Sequence, residues 1–250
     1  MQNMSVEKYK KEVGMMNLEK LIEARETIPK VTFPIPEKEL LKRFEQLYTG
    51  AVNDVLREFT LMNQALPHRI KPLREYRTVA GFAFTVKSAP STLVTGEMGF
   101  RAQMLEEMHE DAFVIYDTSG DEKSTAWGGV MTATAKGKGV KASAVDGGIR
   151  DTHQILEAEF PVFYKYRSSN GSLGRCLITH YQIPIQIDDV FIRPGDVALG
   201  DVDGVLIVPR TIAYDVLVRA EEIKRNEKKI FGWVKEGQSA REITDKGGYF

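Results

Sequence analysis

Arg150 and Asp151 put a cation beside an anion, just beyond an expected glycine turn at Gly147-Gly148 that closes a short β-rich stretch ending at Val145. A carboxylate fixed there can hold a hard metal ion. The planar fork of an adjacent guanidinium can clamp a carboxylate or an enolate oxygen. The plainer alternative is that Asp151 caps a new helix over Asp151–Glu157 and pairs with Arg150 at the surface. A second segment, Trp127-Gly128-Gly129-Val130-Met131, precedes a helix rich in small residues. If its glycines open that helix, their backbone N–H groups form an anion cradle; otherwise they make a tight turn. The two segments flank one helix–strand unit, which places both at the same end of a sheet.

Other polar clusters read as structural. Gly200-Asp201-Val202-Asp203-Gly204 resembles part of a calcium loop but lacks the further oxygen ligands and terminal acid. It is expected to be a β-turn in which Asp bonds its own backbone, and Pro194-Gly195-Asp196 is expected to be another. His153, two residues after Asp151, falls on a different helix face and is expected to pack or support rather than share a ligand. The basic run Lys224–Lys229 is interleaved with Glu227 and follows Glu221 and Glu222, the pattern of a solvated helix face.

Composition narrows the classes. With 34 basic and 35 acidic residues among 250, the net charge of -1 gives no general attraction for nucleic acid or an anionic membrane. His68, His109, His153 and His180 are dispersed, and Cys176 stands alone, which excludes an intrachain disulfide framework and a cysteine zinc site. There is no apolar run of the roughly 18 residues that a membrane span needs, and Met1–Lys8 lacks the apolar core of a signal peptide. A cytoplasmic protein is expected.

The elements that must position these groups follow an α/β alternation. Helices are expected over Ser5–Glu26, Phe100–Glu110 and Ile212–Trp233, with one or two more over Lys38–Leu61, where Thr49-Gly50 interrupts the pattern. Strands are expected over Val79–Val86, Ala112–Tyr116, Pro161–Tyr164, Ile183–Ile187, Asp196–Leu199 and Gly204–Val208. Ser168–Arg175, the longest polar glycine-containing segment, is expected to be a mobile loop near a site. The division is an N-terminal helical extension over 1–40 and one α/β domain over 41–250 that includes a C-terminal helix.

Taken together, Trp127-Gly128, Val145–Asp151, Phe160–Phe163, Pro194-Gly195-Asp196 and Asp201–Pro209 resemble the RraA-like family, which includes 4-hydroxy-4-methyl-2-oxoglutarate/4-carboxy-4-hydroxy-2-oxoadipate aldolases. The resemblance runs over about Leu41–Gly237. It implies a swivelling α/β/β sandwich, a homotrimer or homohexamer with sites between subunits, and Mg2+ or Mn2+ as cofactor. It also implies a lyase, aldolase or decarboxylase, that acts on a small 2-oxo acid through a pyruvate enolate. On that pattern Asp151 ligates the metal, Arg150 stabilises the enolate oxygen, and the amides of Gly128, Gly129, Val130 and Met131 hold the substrate carboxylate. The family's aldolases carry an acid separated by twenty residues from the Arg-Asp pair, and here that position is Gly129. Asp117 and Asp121 are upstream candidates to replace it, and Glu227 is a candidate to reach a neighbouring subunit's metal waters. The alternatives are a non-catalytic regulator, as the RraA name denotes, and an enzyme for a sugar acid or hydroxy acid.

Overall fold

The two-residue period of the central strands builds the layers of the molecule. In the computed structural model, which describes residues 17–75 and 77–248, strand β2 (Val79–Pro90) sends Ala80, Phe82, Phe84 and Val86 to one face. Val79 and Ala83 go to the other. Strand β3 (Ala112–Asp117) and strand β5 (Ala142–Ile149) repeat the alternation, so Phe113, Ile115, Ala142 and Ala144 form an inner core with Phe163 of β6 (Val162–Arg167).

Strands β2, β3, β5 and β6 are parallel neighbours in that spatial order. Parallel strands need crossover connections. The helices α4 (Glu97–Glu107), α5 (Gly129–Gly137) and α6 (Thr152–Glu157) provide them and cover the outer face through Met104, Met131, Ala135 and Ile155. Strand β4 (Thr125–Trp127) extends along the end of β5. On the other side β2 pairs antiparallel with β10 (Val197–Asp201), which forms a hairpin with β11 (Gly204–Val208). The segment before β1 (Lys71–Pro72) nearly closes the sheet. Ile207 N donates to Gln64 O and Leu66 N to Val205 O, while β1 itself pairs with β6 at the opposite edge.

A second outer layer comes from α2 (Glu37–Phe44), α3 (Thr49–Glu58) and α7 (Ala213–Lys235). Val216, Ala220 and Ile223, at helical spacing on α7, bury against Leu40, Phe44, Val52 and Leu56. Of the expected N-terminal helix, Glu19–Glu26 forms α1, and residues 5–16 lie outside the described residues. The turn at Asp201–Gly204 forms as expected, with Asp203 N donating to Asp201 Oδ1 at 3.0 Å. Asp201 also accepts from Thr49 N at 2.7 Å and Thr49 Oγ1 at 2.9 Å, which satisfies the start of α3.

Several features differ from the expectation. Gly147 and Gly148 are not a turn but lie inside β5. A Cβ on Gly147 would come within 2.6 Å of Thr118 Cγ2, and one on Gly148 within 2.6 Å of both Ser124 O and the Tyr166 ring. Close approach of neighbouring chain, rather than chain reversal, is what demands glycine there. Strands β7 (Cys176–Tyr181), which pairs with β2, and β9 (Val190–Ile192), which pairs with β8 (Ile185–Ile187), also form, as does a short helix α8 (Ala240–Asp245). Among the described residues, no helix is long and apolar enough to cross a membrane.

Candidate functional site

Parallel strands present ligand-binding groups where their carboxyl ends run into the following helices. At the end of β5, Arg150 N donates to Trp127 O at 3.0 Å, pinning this backbone to β4. Asp151 takes a left-handed conformation with φ 53°, and α6 starts at the next residue. Fully buried Ile155 anchors α6, leaving Arg150 exposed and Asp151 partly exposed at the outer end of the sheet.

Asp151 occupies the cap position of α6 but its side chain does not cap that helix. Its Oδ2 accepts instead from Gly129 N at 3.1 Å, the first N–H of α5, and lies 3.6 Å from Arg150 Nε. The carboxylate thus sits at the positive end of a neighbouring helix. Gly128 and Gly129 do open α5, and side chains from the start of α6 close over both. A Cβ at Gly128 would meet Asp151 Oδ2 at 2.8 Å. One at Gly129 would lie 1.7 Å from Gln154 Oε1 and 3.3 Å from Asp151 Cβ. Buried Trp127 holds the loop through Nε1, which donates to Thr132 Oγ1 at 2.8 Å, and through stacking on Phe160.

A cavity of about 420 Å³ opens between α4, α5 and the loop 168–175. Trp127, Gly128, Val130, Met131, Arg150 and Asp151 line it, together with Arg101. Arg101 is a residue that sequence reasoning missed. Its guanidinium donates to Glu97 Oε1, to Ser172 Oγ at 2.8 Å and to Met131 Sδ at 3.5 Å. The Glu97/Arg101 spacing of four on a helix was the available signal. A Cβ at Gly171 would lie 2.9 Å from Arg150 Nη1, so consecutive loop residues Gly171 and Ser172 touch the two guanidiniums in turn. The loop 168–175 therefore does border the site. It also separates it from a larger cavity of about 1090 Å³ lined by Asp121, Glu122, Lys123, Tyr166, Arg167 and Arg175.

The remaining candidates lie elsewhere in the subunit. Asp117 shares the inner strand face with Phe113 and Ile115, ion-pairs with Lys87 and accepts from Ser119 N at 2.7 Å. The turn around Asp121 is closed by Lys123 N at 3.1 Å, Ser124 N at 3.2 Å and Ser124 Oγ, all donating to its carboxylate. Neither aspartate lines the cavity of Arg150 and Asp151. Glu227 on α7 accepts from Tyr48 OH, and His153 is exposed on α6 rather than packed. Asp146, which precedes the glycine pair, is held bidentately by Arg69 with both contacts at 2.9 Å. Burial pushes the Cys176 thiol up, which disfavours the thiolate.

Two guanidiniums, the N-terminal amides of α5 and one carboxylate suit an anionic oxygen-rich ligand. A hard cation also fits the donor set. Among the described residues there is no group of three or more His, Cys, Asp or Glu side chains able to hold a metal. Magnesium, however, characteristically uses one or two carboxylates and keeps several waters. Asp151 has the accessible carboxylate, and the carboxamide oxygen of Gln154 lies over Gly129, the residue whose N–H donates to that carboxylate.

Comparison with known proteins agrees with the fold. A crystal structure described as "novel cellulases from microbes associated with the gut ecosystem" is 73% identical and superposes with a TM-score of 0.86 over 88% of this chain and 100% of that one. A Halalkalibacterium halodurans protein named "Putative 4-hydroxy-4-methyl-2-oxoglutarate aldolase" is 30% identical over 189 residues, 74% of this chain and 84% of that one. The Streptomyces coelicolor protein RraAS2, described as an unusual member of the RNase ES inhibitor RraA protein family, shares the fold with a TM-score of 0.70. It is 22% identical over 79% of this chain and 98% of that one. The RraA-like family model, described as Aldolase/RraA, matches residues 49–207, and the chain belongs to that family.

Proposed function

We propose that the protein is a divalent-metal-dependent carbon–carbon lyase that cleaves a small 2-oxo acid by retro-aldol reaction or decarboxylation. The observation that carries this reading is the convergence of Arg150, Asp151 and the glycine-opened start of α5 on one cavity. Asp151, with Gln154 beside it, would hold Mg2+ or Mn2+, which would supply Lewis-acid polarisation of the 2-oxo group. The N–H groups of Val130 and Met131 in the first turn of α5 bind the substrate carboxylate. Arg150 donates to the 2-oxo oxygen and stabilises the negative charge that develops there as the carbon–carbon bond breaks. Partly buried Arg101 faces the substrate's distal acidic group.

The assay is pyruvate release from 4-hydroxy-2-oxo acids and from oxaloacetate, with Mg2+ or Mn2+ titrated. Turnover is expected to require the metal and to be lost in Asp151→Ala. Turnover that is independent of metal, or unchanged in that variant, rules the reading out.

Glycoside hydrolysis, suggested by the description of the gut-microbe structure, fits the residues less well. It calls for two carboxyls flanking the scissile bond, one of them a general acid with a raised pKa. Asp151 is the one carboxylate lining its cavity. In the larger cavity Asp121 and Glu122 are adjacent on one loop, and Lys165 holds the Glu122 carboxyl below its ordinary value.

A regulator without catalysis is favoured by one observation, the absence of an acid at Gly129, and the same assay separates it. The proposed assembly is a homotrimer or homohexamer. Glu227, Phe231 and Val234 recur at helical spacing on α7, with Phe231 64% and Val234 50% exposed. Met98, Val130 and Leu173 are likewise exposed at the cavity rim. Docking of α7 on a neighbour's rim would cover both apolar sets and carry Glu227 to that neighbour's site.

A further inference from the structure

We propose that Gln154 is the second protein oxygen of the cation site, its carboxamide Oε1 working beside the Asp151 carboxylate in the space that a side chain at position 129 would fill. This rests on the metal-dependent reading above. Residues 151 and 154 are three apart at the start of α6, so their side chains project from one face. Both reach the same glycine. Asp151 Oδ2 accepts from Gly129 N at 3.1 Å, and Gln154 Oε1 lies 1.7 Å from where a Cβ on Gly129 would stand. No residue other than glycine can therefore occupy position 129 while Gln154 keeps this conformation.

Gln154 is exposed, and among the described residues its carboxamide has no hydrogen-bond partner, while its Oε1 end lies over Gly129. A carboxamide oxygen is a hard, neutral donor of the kind magnesium and manganese accept. The missing acid and the glutamine are thus one exchange. The anionic oxygen that the aldolase pattern places at 129 is replaced by a neutral one that reaches the same place from the next helix. A site with one carboxylate in place of two attracts a cation more weakly alone. Cation binding should therefore gain more from an anionic ligand that contributes its own oxygens.

The test is Mn2+ binding followed by electron paramagnetic resonance, with and without oxalate, on the full chain and its Gln154→Ala, Gln154→Glu and Asp151→Ala variants. Gln154→Ala is expected to weaken Mn2+ binding by about tenfold, at the low end of what supporting groups contribute. Gln154→Glu is expected to strengthen it and to reduce the gain from oxalate. A Gly129→Ala change should destabilise the wild-type background to chemical denaturation more than the Gln154→Ala background, because the clash is with Gln154. Unchanged Mn2+ binding in Gln154→Ala, when Asp151→Ala has lost it, overturns the role of Gln154 alone. If the wild type binds no Mn2+ with or without oxalate, the metal-dependent reading falls and this inference with it.

Discussion

At the scale of single residues, the fold brings Arg150, Asp151 and Gly128 to one cavity, to which Arg101 adds a second guanidinium. Arg101 and Gln154 take their surroundings from Ser172, Met131 and Gly129, which only the folded chain brings near, whereas the contiguous pairs Arg150-Asp151 and Gly128-Gly129 can be read in the sequence. Arg150 carries a prediction of its own. Its Nε lies 3.6 Å from Asp151 and its Nη1 end reaches Gly171, so the guanidinium spans from the carboxylate to the loop. Lysine keeps the charge but presents a point in place of a fork. Arg150→Lys should lower kcat for pyruvate release by roughly 10²-fold, the scale of one lost oxyanion donor, while KM changes far less. Steady-state kinetics on the substrate found by the lyase assay checks this. A raised KM with kcat retained would make Arg150 a binding group only.

At the scale of elements, long periodic segments were legible and the glycine pair in β5 was misread. Strand Gly204–Val208 and the long helix α7 follow their expected ranges closely, since hydrophobic alternation and helical spacing are written within each segment. Gly147-Gly148 looks like a turn because paired glycines usually are. What makes them a strand is packing from Thr118, Ser124 and Tyr166, which lie far away in sequence. Gly148 gives the sharper test. The Tyr166 ring is held by its hydroxyl, which donates to Ser124 O at 2.6 Å, and that same oxygen faces the missing Cβ. Neither neighbour can withdraw without breaking the bond between them. Gly148→Ala should cost about 1–3 kcal/mol through overpacking, read as a lower urea midpoint at unchanged slope. An unaltered midpoint would mean that β5 and β6 separate freely.

At the scale of the whole molecule, the C-terminal helix α7 closes back on the N-terminal helices, and its attachment is partly electrostatic. Arg43 on α2 donates from Nε to Glu221 Oε1 at 2.8 Å and from Nη2 to Glu221 Oε2 at 2.7 Å, a bidentate pair with both side chains mostly buried. These hydrogen bonds hold the Glu221 carboxyl below its ordinary value of 4.5. In the unfolded chain that carboxyl titrates near the ordinary value, so between the two values the unfolded state binds more protons. Stability from this pair is therefore complete above about pH 4.5 and is lost as pH falls through the lower folded value. The apolar contacts of Val216, Ala220 and Ile223 do not titrate and keep α7 docked, which limits the electrostatic share to about 1 kcal/mol, the upper range for a partly exposed pair. Urea midpoints measured from pH 6 to pH 3 should fall less steeply for Glu221→Gln than for the wild type, with the variant less stable at pH 6 and the two curves converging in acid. Parallel curves would show that the pair contributes nothing and that packing alone joins the two ends of the chain.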